Sequence, residues 1–187
     1  MIGQDPLRSF RQMARNNHLA NRRLLRACLA LRPGEWEGRR TGFFPSLKAT
    51  LNHILIIDWF YVDALEGGTL GPAAFSDPEP CETAERWGAE QGKVDLQLLT
   101  LCESLRPRDL DREISIHRGS RVQRDAMADV LLHLFLHQTH HRGQAHAMLS
   151  GTSIPPPQLD EFIVSDDAPT RVADLAALGW SEEDLTR

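Results

Sequence analysis

A chain of 187 residues is long enough for one domain with a sizeable core and short for two. Charged residues at 25% and hydrophobic residues at 41% are ordinary for a globular protein in water. A net charge of −5 argues against a general nucleic-acid binder, and no apolar run approaches the roughly 20 residues of a membrane span.

The first predicted helix opens at Asp5-Pro6, an N-cap followed by proline at the first helical position. Its seam runs Leu7, Phe10, Ala14, Asn17, Asn21, Leu24, Cys28, Leu31, in steps of three and four. Two asparagines thus stand where apolar residues are expected, before Pro33-Gly34 ends the helix. A second helix is predicted from Phe43-Phe44-Pro45-Ser46 to Leu65, with Leu47, Leu51, Ile54, Leu55, Asp58 and Val62 on one face and His53 beside it. Residues 67–80 read as an irregular connection rich in Gly and Pro. A third helix covers about Cys81 to Leu105, and Ile114–His117 with Arg118-Gly119-Ser120 predicts a short strand or hairpin.

The fourth helix is predicted from Arg124-Asp125 to Leu149, with a core line through Met127, Val130, Leu131, Leu134, Gln138, His141, Ala145 and Met148. Leu132, Phe135 and Leu136 add an apolar strip on its other side, which suggests a dimer contact. After Pro155-Pro156-Pro157 the tail holds short helical pieces, including Pro169–Leu178 and a capping-box pattern at Ser181–Asp184. Cys28, Cys81 and Cys102 are odd in number and form no CxxC. With Met1–Pro6 lacking the apolar core of a signal peptide, they predict a cytoplasmic protein with reduced thiols.

Five of the eight histidines fall between His133 and His146. His137 and His141 are one helical turn apart, ~40° on one face, the spacing at which two imidazoles grip one divalent ion. Burying such a pair without partners is costly. His53, midway along another long helix, is the natural third ligand; His133 and His140 compete for the place but share a helix with the pair. The remaining His18, His117 and His146 read as ordinary core or surface residues. Gln138 stands where a zincin has its glutamate base, so a metallopeptidase is disfavoured. No Glu-x-x-His pair supports a ferritin-like di-metal site.

Phe43-Phe44-Pro45-Ser46-Leu47, Leu51-Asn52-His53-Ile54-Leu55 with Asp58, and His137-Gln-Thr-His140-His141-Arg142-Gly143-Gln144 together resemble the helix signatures of the DinB (damage-inducible) family. The likeness runs from about residue 5 to Asp160 and includes Asn21–Leu24. It does not extend to the translesion polymerase of the same name, whose length and acidic motifs are absent. The resemblance implies an all-α, up-down-down-up four-helix bundle over residues 1–163, with residues 164–187 as a C-terminal extension. It also implies a homodimer and a divalent ion, zinc or nickel first, held by His53, His137 and His141. Relatives with this bundle include thiol-dependent S-transferases, so a low-molecular-weight thiol is a candidate co-substrate and an electrophile its partner.

Around the triad, His140 is the candidate proton carrier, and Gln144 can orient a ligand. Asn17 and Asn21 are pocket candidates, with an inter-helix hydrogen bond as the other reading. Arg142 reads as pairing with a carboxylate or as solvated, Gly143 as permitting close helix approach, and Asp58 as facing away from His53. Two functions follow. One is a metal-dependent thiol S-transferase or hydrolase. The other is a non-catalytic metal-binding stress-response dimer that recognises a ligand or partner. Nucleic acid and membrane are not expected as partners.

Overall fold

The computed structural model describes residues 5–160 and 163–186. Met1–Gln4, part of the segment read above for a leader, lie outside the described residues. Four long helices carry the structure: α1 (Arg8–Leu29), α2 (Leu47–Leu65), α3 (Ala84–Ser104) and α4 (Met127–Leu149). An antiparallel hairpin of β1 (Glu113–His117) and β2 (Val122–Ala126) precedes α4, and α5 (Ala168–Leu178) and α6 (Glu182–Thr186) follow it. Helix α1 packs mainly on α3 and α2 on α4, with α2–α3 and α1–α4 contacts completing a helical bundle.

The helix ends follow from local chemistry. The Asp5 carboxylate accepts from Leu7 N–H at 3.0 Å and opens α1. Ser46 Oγ accepts from Ala49 N–H at 3.1 Å to start α2, and Gly67, at φ +86°, follows its end. Thr83 caps α3, which therefore begins three residues after the expected Cys81. Helix α4 also begins later than expected, at Met127. Residues 122–126 are spent on β2, paired Glu113↔Ala126 through His117↔Val122, with Gly119 at φ +79° in the turn. Only Ile114 and Ile116 of the hairpin are buried, so its second strand lacked an apolar alternation to announce it.

Leu24, Leu51, Leu55, Trp87, Val94, Leu98, Leu131 and Leu134 form the main core. Phe135 belongs to that core, contrary to the apolar outer strip expected of it, because the helix turns it inward at 3% exposure. Leu132 and Leu136 remain exposed. The C-terminal segment packs on α1: Leu175 and Leu185 bury Leu19 and Ala20, and Arg23 donates to Asp174 at 2.6 Å.

Inside the bundle lies a polar network drawn from all four helices. Asp95 of α3 accepts from Asn17 Nδ2 at 2.9 Å, from Asn21 Nδ2 at 3.0 Å and from Gln91 Nε2 at 2.9 Å, and it faces His18 Nδ1 at 3.3 Å. Asp58 of α2 accepts from Gln91 at 2.7 Å and from Gln138 of α4 at 2.9 Å. Arg142 of α4 donates to Asn17 Oδ1 and lies in the field of both carboxylates. Every member is buried. A buried carboxylate survives only when donors replace its water, and here amide N–H groups do so.

The two seam asparagines therefore link α1 to α3 and α4, in keeping with the inter-helix reading of Asn17 and Asn21. Arg142 is neither solvated nor at a helix end. Gly143 does not serve close packing, since a Cβ added there would meet nothing within 4 Å.

Candidate metal centre

Helix α2 presents His53 toward α4, where His137 and His141 stand one turn apart. The ring centroids are 4.4 Å apart for His137–His141, 4.6 Å for His53–His141 and 5.0 Å for His53–His137. One nitrogen from each ring can be chosen so that all three lie within 4.8 Å of one another. His53 Nε2 and His137 Nε2 are 3.1 Å apart. Two imidazole nitrogens on one tetrahedral zinc would sit about 3.3 Å apart, given Zn–N bonds of about 2.05 Å. The donor set is three nitrogens from two helices.

Electrostatics keeps these rings neutral. Burial pushes His53 down to about 4, with the neighbouring His141 adding to it. His137 falls to about 3, through burial first and then the surrounding imidazoles. His141 is lowered by burial, against the opposing pull of its hydrogen bond to Gln144. Neutral imidazole is the form that ligates a metal. His137 Nδ1 is buried with no hydrogen-bond partner among the described residues, and its ring is held by packing against its neighbours. A cluster of neutral, converging imidazoles with one orphaned ring atom fits a cation better than it fits a set of core hydrogen bonds.

Gln144 sets one tautomer. Its Oε1 lies 2.8 Å from His141 Nδ1, so an Nδ1–H donor there leaves the Nε2 lone pair free. The other end of the same amide, Nε2, is 3.1 Å from His140 Nε2. His140 is exposed, stacks edge-on to His141 at 4.9 Å and is not one of the three grouped rings. His133 also stays outside, 6.3 Å from the His137 ring and 5.1 Å from Tyr61. Asp58 points into the bundle network, away from His53, as expected.

One contributor escaped the sequence reading. Phe44, just before the Ser46 cap, lays its ring 4.5 Å from His53 and 5.6 Å from His141. It covers one side of the group; the sequence named it only at the helix start and within the family signature, with no role attached. A cavity of about 550 Å³ opens between the end of α1 and the start of α3 and touches none of the three histidines. Proximity to reactive groups matters more than size here. The groove that shares His53 as a wall measures about 260 Å³.

Fold and site together define a helical-bundle protein with a three-histidine group able to hold a metal ion. The chain belongs to the DinB family, which it matches over residues 4–171. In fold it is similar to a DinB-like protein from Bacillus cereus ATCC 10987, at a TM-score of 0.55 and 15% identity, covering 74% of this chain and 91% of that one. Among curated proteins none matches the chain. No helix among the described residues is long and apolar enough to cross a membrane.

Proposed function

We propose that the chain binds one divalent ion, zinc or nickel, through His53, His137 and His141, and uses it in thiol S-transferase-like chemistry. The convergence of three neutral imidazoles from two helices within 4.8 Å carries this reading. When bound, the ion would supply Lewis acidity that brings a thiol or water toward ionisation near neutral pH.

The protein's own groups do the rest. Gln144 orients His141, Phe44 keeps water from one side, and His140, exposed beside Gln144, is placed to carry a proton to solvent. The reacting thiol is not one of the chain's own. Cys28, Cys81 and Cys102 are buried outside the histidine group, and burial pushes Cys28 and Cys102 up to about 12. A low-molecular-weight thiol is therefore the natural co-substrate, in the cytoplasm.

A panel of small thiols should raise the melting temperature of the metal-loaded protein and leave the chelated protein unmoved. Equal shifts with and without chelator would remove the thiol from the site.

We further propose a homodimer through α4, where Leu132 is 54% and Leu136 62% exposed on a helix whose other faces are buried. Sedimentation velocity should report a dimer for the native chain and a monomer for Leu136→Glu. A monomeric native chain at micromolar concentration, or a variant that still dimerises, would end this part of the reading.

A further inference from the structure

Two cavities open beside α2, one of them walled by His53, and their walls differ in chemistry. On the His133 side a cavity of about 310 Å³ carries Tyr61, Arg118, Gln123, Asp125 and Asp129. That wall is polar and charged: Arg118 donates to Tyr61 Oη at 2.9 Å and to Gln123 at 3.0 Å, and Gln123 donates to Asp125 at 2.6 Å.

On the His53 side the groove of about 260 Å³ is walled by Phe44, Pro45, Ala49, Ile56, Phe75 and Pro78. Its one acidic residue, Glu79, stands at the rim 3.1 Å from Lys48 Nζ, a lysine it shares with Glu82 at 2.6 Å. The wall formed by Phe44, Pro45, Ala49, Ile56, Phe75 and Pro78 carries no charge. Phe75 stays 44% exposed, so the groove holds apolar surface in contact with water. Such surface gains roughly 25 cal/mol per Å² when a ligand covers it. Aromatic walls favour a ring, through offset or edge contacts. A cavity just under the roughly 300 Å³ lower bound of drug-sized pockets accommodates one ring with a short substituent.

We infer that this groove receives an uncharged aryl group of the substrate, placing the substituent's reacting atom beside His53. The inference rests on the metal-site reading and names the substrate class for that site. It predicts selection by apolar area, with anionic analogues excluded because the apolar wall offers no cation to pair with them and Glu79 stands at its rim.

The test uses the full-length protein in two arms. In the first, the zinc-loaded protein is titrated calorimetrically with imidazole and with 1-phenylimidazole, which present the same ring nitrogen and differ by a phenyl group. The phenyl compound should bind about tenfold more tightly. Phe75→Glu and Pro78→Glu, both at exposed positions, should bring the two affinities within about twofold while leaving imidazole binding and zinc stoichiometry unchanged.

In the second arm, metal-free protein labelled at alanine and isoleucine methyls is titrated with benzyl alcohol. The Ala49 and Ile56 methyls should shift, and either glutamate variant should weaken that response at least fivefold. Equal affinities for the two imidazoles in the native protein, or an advantage untouched by both variants, would overturn the inference with the metal site intact. If no zinc binds, the metal reading fails by itself. The benzyl alcohol arm then decides the groove, and silent methyls would overturn it.

Discussion

His53→Ala is expected to weaken zinc binding on the order of a hundredfold to a thousandfold while leaving the bundle folded. The affinity loss follows from removing one of three nitrogen donors, since each ligand supplies a share of roughly 3–4 kcal/mol in sites of this kind. The fold should survive because His53 is only half-buried and its single hydrogen bond is to His137. Equilibrium dialysis with atomic spectroscopy measures the first effect, and circular dichroism with a melting curve the second. A variant that unfolds would make the ion structural, and one that keeps full affinity would remove His53 from the site.

The same residue shapes the acid side of the metal-free protein. The folded values of about 4 for His53 and about 3 for His137 lie below the unfolded value of 6.5. Between these limits the unfolded chain binds protons that the folded one refuses, so the contribution of these two histidines is full above about pH 6.5 and is lost as pH falls toward 4. His53→Ala should make that decline shallower.

Asp95→Ala is expected to cost more stability than any single change at the metal group. Asp95 is 2% exposed and accepts from Asn17, Asn21 and Gln91 while facing His18. Truncation strands those donors and leaves the buried Arg142 with Asp58 as its remaining countercharge. Breaking a buried charged network from one side costs about 3–5 kcal/mol. For a chain of this size that lowers the melting temperature by roughly 6–20 °C.

Asp58 supplies a second readout. Burial and then the charge of Asp95 raise it from 3.8 to about 7, so it contributes stability at low pH that is lost as pH rises toward 7. Without Asp95 that alkaline-side loss should shrink. Melting curves from pH 4 to 8 check both effects. A variant melting within 2 °C of the native protein would mean that the network is incidental to the fold.

The helices and the His137–His141 pair were legible because both depend on spacing along one chain segment, whereas His53 was joined to the pair by its place midway along another helix and by the family resemblance. Steps of three and four marked α1, α2 and α4, and one turn separates His137 from His141. What escaped depends on partners from elsewhere. An inter-helix hydrogen bond was legible for Asn17 and Asn21, but not its acceptor, Asp95 on another helix. Arg142 read as pairing with a carboxylate at a helix end or across a dimer, or as solvated, and only the assembled bundle sets it in the field of two buried carboxylates. Strand β2 was taken for the start of α4, since Val122–Ala126 is polar and owes its conformation to pairing with β1. Phe44 acquires its role from the meeting of α2 and α4, which no local pattern records.

X-ray absorption spectroscopy of the zinc-loaded, untagged full-length protein tests the central assignment most directly. Three imidazoles should appear in the multiple-scattering region, with zinc–nitrogen distances of about 2.0–2.1 Å and no sulfur shell. A spectrum with one imidazole or none, or with sulfur at about 2.3 Å, would contradict the account.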